Sequence, residues 1–327
     1  MKSVFKLLFV LAVILIAVAT WAVLEGHRRF TRPGPLAEAT TVVIAKGAGL
    51  EAIARKLAAA GVVRDPYSFM AGAKLRQASL KAGEYAFPAH ISPQDAVVMM
   101  GEGRTVVHKL TIAEGLTSKQ ILALVRDADY LTGDVAAVPP EGSLLPETWH
   151  LNRDDARDEV VARMEKSMRQ LLDQLWPARA ADLPVKTKEQ ALVLASIVER
   201  ETGIKAERPM VAAVFVNRLR LGMRLQSDPT VIYGLSDGMG VLDHPITRAD
   251  LETPHRWNTY VIDGLPPTPI ANPGRASIEA VLHPADSPAL YFVADGSGGH
   301  VFARSLTEHN NNVVNWRKVE KARREAK

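Results

Sequence analysis

An uncharged run from Leu7 to Leu24, LLFVLAVILIAVATWAVL, constrains this chain more than any other feature. At about 1.5 Å of rise per residue, a helix of that length matches a bilayer core of about 30 Å. Lys2 and Lys6 precede the run, and Ala17-Val18-Ala19 has the form of a signal-peptidase site, so a cleaved signal peptide competes with an uncleaved anchor. The run continues through Trp21, Val23 and Leu24, with Trp21 where an interfacial aromatic would sit, which favours the anchor. Arg28, Arg29 and Arg32 on the far flank offset Lys2 and Lys6, and charge alone leaves the orientation open. An amino-terminal tail ending at Lys6 holds no domain, so everything after Phe30 works on one side of the membrane.

The rest of the chain is globular in composition. Of 327 residues, 47% are apolar, enough for one or two packed cores and too many for extended disorder. The net charge of +4 resides in the tail from Arg317 to Lys327, where six basic residues face Glu320 and Glu325; the remainder is balanced. That pattern reads as a solvated helix end and not as a nucleic-acid face. There is no cysteine, hence no disulfide framework and no thiol nucleophile.

Patterning predicts an α+β chain with an N-terminal transmembrane helix, a small α+β module and a larger α+β domain; the resemblances given below make the module LysM-like and the larger domain catalytic. The ranges are 1–30 for tail and anchor, 40–105 for the module and 106–327 for the catalytic part, whose core spans about 141–315. After the stiff Arg32-Pro-Gly-Pro35, the spacing predicts a strand at Thr41 to Ile44 and a helix from Leu50 to Ala60 stopped by Gly61. Asp65-Pro66 opens a second helix, Gly83 to Phe87 is a strand, and Ser92-Pro93 caps a helix through Met100. This strand-helix-helix-strand order resembles a LysM-like module, a small fold associated with N-acetylglucosamine-containing glycans; a plain α+β spacer is the alternative. Ile44-Ala-Lys-Gly47 is echoed by Ile112-Ala-Glu-Gly115 before a helix with the capping box Thr117/Gln120.

Further on, Val161, Met164, Met168, Leu171, Leu172 and Leu175 form a helical stripe ended by Trp176-Pro177. Thr187 and Gln190 form another capping box, opening a helix from about Lys188 to Glu201 that is apolar on nearly every face. A carboxylic acid at the end of such a helix can have a raised pKa and donate a proton near neutrality. Glu199 and Glu201 both qualify, and periodicity cannot choose between them. A second apolar helix, Pro209 to Leu221, ends in Asn217, Arg218 and Arg220. Asp228 before Pro229 is an expected N-cap. The proline-stiffened loop Gly264 to Gly274 suits one wall of an open groove. Tyr291 to Gly296 and His300 to Phe302 read as a hairpin followed by Thr307 to Asn310.

These blocks together resemble a known family, the endolytic murein transglycosylases of the MltG or YceG-like type. The resemblance is carried by Glu141-Gly142 with Pro146-Glu-Thr-Trp149, ASIVERET from Ala195, VNRL from Val216, MRLQSDPTVIYG from Met223, and NTY from Asn258. It continues in GLPPTPIANPG from Gly264, YFVADGSGGHVF from Tyr291 and EHN from Glu308, covering about Val42 to Val314. His255-Arg-Trp257 before NTY, and Leu144-Leu145 before the proline, depart from the family pattern. The resemblance implies a single anchor in the cytoplasmic membrane, a body on the extracytoplasmic, periplasmic side, and cleavage of nascent peptidoglycan glycan strands. It further implies no cofactor and no metal, and peptidoglycan synthases as partners. It makes Glu199, the first glutamate of the motif, the acid/base that protonates the leaving oxygen and then takes the proton of the sugar's own C6 hydroxyl. Candidate substrate-binding residues are Asn217, Arg224, Gln226, Ser227, Tyr260, Asn272 and Asn310, with Asp228 or Glu308 as electrostatic partners; Arg218 and Arg224 could meet sugar or peptide carboxylates.

Three rivals remain from the residues themselves. A two-carboxylate hydrolase would pair Glu199 with Asp228 or Glu308 and add water. A membrane-anchored glycan-binding scaffold would leave Glu199 structural. A metalloenzyme would need His283, His300 and His309, which lack tight ligand spacing.

Overall fold

The computed structural model describes residues 2–325, so Lys327 of the basic tail lies outside the described residues. The chain is mixed α/β and divides into two units, Met1–His108 with His150–Asp154, and Lys109–Trp149 with Asp155–Lys327.

The first unit begins with α1 (Lys2–Thr31), one continuous helix whose apolar stretch is exposed along its length. It is long and apolar enough to cross a membrane. Near its end Phe30 is buried against the following elements. These are β1 (Thr40–Ile44), α2 (Leu50–Ala59), α3 (Pro66–Leu75), β2 (Gly83–Phe87) and α4 (Pro93–Glu102). The strands are antiparallel, with Val42 opposite Tyr85 and Ile44 opposite Gly83. Alternation turns Val42 and Ile44 inward against Leu57 and Phe69. Each such buried apolar side chain contributes on the order of 2 kcal/mol. The helix starts follow the sequence: Asp65 accepts from the backbone N–H groups of Tyr67 and Ser68, and Ser92 from that of Asp95.

The chain continues through β3 (His108–Thr111), α5 (Ser118–Asp127), β4 (Leu131–Thr132), β5 (Thr148–Leu151), β6 (Asp155–Ala156), α6 (Arg157–Leu175), α7 (Lys188–Glu201) and α8 (Arg208–Arg220). It ends with α9 (Asp228–Leu235), α10 (Arg248–Glu252), α11 (Arg275–Leu282), the hairpin β7 (Tyr291–Ala294) and β8 (His300–Ala303), and α12 (Leu306–Glu325). The core of the second unit is built on α7, whose Leu194, Ala195, Ile197 and Val198 are wholly buried among residues of α8 and α11. A helix enclosed on several sides has no polar stripe, which accounts for its all-round apolar sequence.

Two local expectations change. Thr187 caps Gln190, but the Gln190 side chain accepts from the Lys186 N–H at 2.6 Å and does not close the box. Ser227, not Asp228, is the N-cap residue of α9, because Asp228 already has helical geometry. The Thr307 to Asn310 segment belongs to the first turn of α12. The box at Thr117 and Gln120 closes in both directions, and the echoed Gly47 and Gly115 share a left-handed φ of 80° ahead of their helices.

Candidate functional site

Residues two apart on a helix point about 200° from each other, so Glu199 and Glu201 cannot both face the same side of α7. The structure separates them completely. Glu199 turns inward: its Oε1 accepts from Arg208 Nη2 at 2.7 Å and its Oε2 from the Gly274 N–H at 2.9 Å. Both side chains of that ion pair are 4% exposed, and the same Arg208 nitrogen also reaches Glu114 at 2.9 Å. Burial raises the Glu199 pKa, opposed by Gly274, Ser277 and Arg208.

Glu201 faces the other way, into a cleft of about 470 Å³, a size that suits a small ligand or a few sugar units. One wall comes from α8 and the turn after it, with Phe215, Arg218, Leu225 and Gln226; another comes from Asp228 and Tyr260. The hairpin and α12 supply Tyr291, Phe292, Val293, Leu306 and His309. Ser227 Oγ donates to Glu201 Oε1 at 2.5 Å, and among the described residues none donates to Oε2. Desolvation pushes the Glu201 pKa up to about 7, with Asp228 adding to the shift and Ser227, His300 and Arg218 opposing it. The carboxyl also ends its helix, where the partial negative charge of the C-terminus disfavours ionisation. This acid is therefore part-protonated at neutral pH and has one oxygen free toward the cleft.

The surroundings are held rigidly. Tyr260 donates its hydroxyl to Asp228 Oδ1 at 2.6 Å. Arg218 gives its Nε to the Leu290 carbonyl at 2.7 Å and its Nη1 to that of Leu225 at 2.8 Å, with its guanidinium 5.0 Å from the Tyr291 ring centre. The His309 ring stacks on the Tyr291 ring, with centroids 5.1 Å apart. Burial and the nearby Arg218 hold its pKa below the usual imidazole range. Glu207 ties the hairpin to the end of α7: it accepts from the His300 N–H at 2.9 Å, bonds His300 Nδ1 at 2.8 Å and accepts from Thr202 at 3.2 Å.

The sequence-derived candidates therefore divide. Gln226, Asp228 and Tyr260 line the cleft and Ser227 grips its acid. Glu199 does not, being sealed against Arg208. Asn217 binds the Ser287 and Ala289 carbonyls at 2.7 and 3.0 Å and holds the strand approach. Arg224 lies outside, on Asp263 and the Tyr260 carbonyl. Asn272 is fully buried, joining the Leu144 N–H, the Leu116 carbonyl and Glu141. Glu308 accepts from the Arg304 N–H at the exposed start of α12, and Asn310 is exposed there too. Tyr291 and Phe292 were missed, although both sit in the YFVADGSGGHVF block that marks the region, whereas His309 of EHN was expected to shape the site and does line the cleft.

One other carboxyl is raised by burial: Glu141, beside a cavity of about 180 Å³. Both its oxygens are occupied, by Ser118 and Asn272 on one and Tyr233 on the other, so it is a structural knot.

A cleft presenting one near-neutral carboxylic acid, bordered by hydroxyl, amide and aromatic groups, has the equipment for general acid/base chemistry. The model of the YceG-like family matches residues 42–315, and the chain belongs to that family. It is 31% identical over 300 residues to the endolytic murein transglycosylase of Bacillus subtilis, with 82% of each chain covered. It is 28% identical to the endolytic murein transglycosylase of Streptococcus pneumoniae strain D39, covering 84% of this chain and 58% of that longer protein. A crystal structure of a YceG-like protein from Listeria monocytogenes matches with a TM-score of 0.50 at 30% identity, covering 84% of this chain and 99% of that one.

Proposed function

We propose that this protein is a membrane-anchored lytic transglycosylase that cleaves the bond between N-acetylmuramic acid and N-acetylglucosamine within peptidoglycan strands, with Glu201 as its single acid/base. The observation that carries this reading is the Glu201 carboxyl, near pKa 7, open to the cleft on one oxygen and fixed by Ser227 on the other. The activity in the names of the B. subtilis and S. pneumoniae relatives supports it.

In this reading protonated Glu201 gives its proton to the glycosidic oxygen as the C1–O bond breaks. Positive charge develops on the muramic ring, beside Asp228 and the aromatic wall. The sugar's C6 hydroxyl then attacks C1, and the Glu201 carboxylate takes that hydroxyl's proton, regenerating the acid. The product is a 1,6-anhydro end; no water enters and no second carboxylate is consumed. Arg218, with two donors fixed on carbonyls, is oriented to meet a lactyl or peptide carboxylate. Glu199 serves the helix packing beneath.

The remaining parts follow the same logic. The Leu7 to Leu24 stretch holds α1 in the cytoplasmic membrane with the body on the periplasmic side. The β1-α2-α3-β2 arrangement acts as a LysM-like glycan-binding module, and the protein works on nascent strands beside the synthases that extrude them.

Mass spectrometry of fragments released from purified peptidoglycan by the full chain in detergent tests the reaction. Internal fragments ending in 1,6-anhydro-muramic acid are expected. Reducing ends, heavier by one water, would instead make Asp228 the partner of Glu201 in a two-carboxylate hydrolase.

A further inference from the structure

Where α1 meets α3 the first unit has a groove of about 390 Å³. One side is the end of the membrane helix, with Val23, Gly26 and Phe30; the other is α3, with Ala71, Gly72 and Leu75. The seat is specific. A side chain at Gly72 would collide with the Phe30 ring, its Cβ lying 2.1 Å from Phe30 Cε2. At Gly26 the same construction meets nothing within 4 Å, so the groove is open there. Its lip carries Leu75, which is 86% exposed, and Tyr67, 73% exposed, stands two turns earlier on α3. With Ala71 they recur every four residues along one face of α3.

A second, polar notch adjoins the groove, lined by Arg29, Arg32, Arg64 and Asp65 and sharing Ser68 with it; the Asp65 carboxylate is taken up by the N–H groups of Tyr67 and Ser68 at the start of α3. Arg29 is paired with Glu25 at 2.8 Å. Arg32 and Arg64 form no ion pair among the described residues.

The depth of this pair of cavities follows from the helix. α1 is continuous to Thr31, so Gly26 lies about 3 Å and Phe30 about 9 Å beyond the end of the apolar run at Leu24. The polar zone on each side of a bilayer core is about 5–8 Å deep. The groove therefore opens at the level of the headgroups, with apolar walls continuous with the membrane span and, at its edge, three arginines against Glu25 and Asp65. We propose that it binds one anionic phospholipid, an acyl chain along the α1/α3 groove and the phosphate against Arg32 and Arg64, which holds the first unit flat on the membrane. The proposal rests on α1 being an uncleaved membrane helix.

Native mass spectrometry of the full chain, extracted from membranes in detergent, tests it with phosphatidylglycerol and phosphatidylcholine as paired probes. Phosphatidylglycerol should be retained in preference. Joint Arg32→Gln and Arg64→Gln substitution, which removes both charge-assisted contacts to the phosphate, should cut its retention about tenfold or more and lower that of phosphatidylcholine, whose choline already offsets the phosphate charge, by much less. Gly26→Leu, which fills open space, should weaken both lipids. Equal retention of the two by the wild type, or no response to either variant, would overturn the proposal. So would displacement of lipid by millimolar inorganic phosphate, which marks a plain anion site, or a dimer mass that disappears with Gly26→Leu, which puts a second copy in the groove. A cleaved amino terminus would show directly as a lower intact mass, separating failure of the anchor reading from failure of the lipid site.

Discussion

Ser227 Oγ lies 2.5 Å from Glu201 Oε1, although Ser227 is the N-cap residue of α9 and its side chain caps nothing there. The helix gives up a stabilisation of about 1 kcal/mol, and the hydroxyl serves the acid instead. Ser227 is itself fixed by its N–H to Thr259 Oγ1 at 2.9 Å, after Gln226 at a left-handed φ of 50°. Such a local sacrifice is expected where function competes with folding.

Ser227→Ala should therefore change the pH profile as well as the rate. The hydroxyl stabilises the carboxylate and lowers the Glu201 pKa; without it the pKa rises. The first step needs the protonated form, so the limb on which activity falls with rising pH should move to higher pH. Misorientation should lower the rate at the optimum about tenfold. Initial rates of glycan cleavage between pH 5 and 9 check both effects; an unmoved limb would detach Ser227 from the acid.

Stability should depend on Glu201 in a definite direction. Its folded pKa of about 7 is above the ordinary carboxyl value of 4.5, so between those values the folded state binds more protons and the wild type loses stability as pH rises. Glu201→Gln removes that penalty. It should be more stable than the wild type above pH 7, by up to about 3 kcal/mol as an upper bound, with the gain vanishing near pH 4. Urea unfolding at the two pH values measures it.

Arg208 should behave as a structural residue. Its Nε and Nη1 are buried without partners, and its Nη2 carries the pairs to both Glu199 and Glu114. Arg208→Met leaves Glu199 without its cation and should destabilise the second unit by about 3–5 kcal/mol. Thermal unfolding at pH 7 reads this out, and the loss should shrink at lower pH as Glu199 takes up a proton.

Local chemistry made much of the scaffold legible. Gly83 to Phe87 is a strand as expected, and α7 spans Lys188–Glu201 as its cap and apolar run require. Asp65-Pro66, Ser92-Pro93 and the Thr117 box mark true helix starts. The site was less legible because its decisive relationship is non-local. An all-apolar helix gives no sign of which side meets a cleft, and Glu199 and Glu201 differ only in what arrives from elsewhere: Arg208 and the Gly274 N–H on one side, Ser227 and the hairpin on the other. Asn272 likewise looks like a polar groove residue in its loop, yet folding carries it into the interior, where it satisfies backbone groups of two distant segments.

The most direct measurement compares Glu201→Gln with Glu199→Gln in the release of 1,6-anhydro fragments, normalised to folded protein by circular dichroism. Glu201→Gln should keep its fold and lose activity about a thousandfold, whereas Glu199→Gln should lose stability and keep most of its turnover per folded molecule. An inactive, well-folded Glu199→Gln beside an active Glu201→Gln would contradict the account and return the chemistry to the first glutamate of the motif.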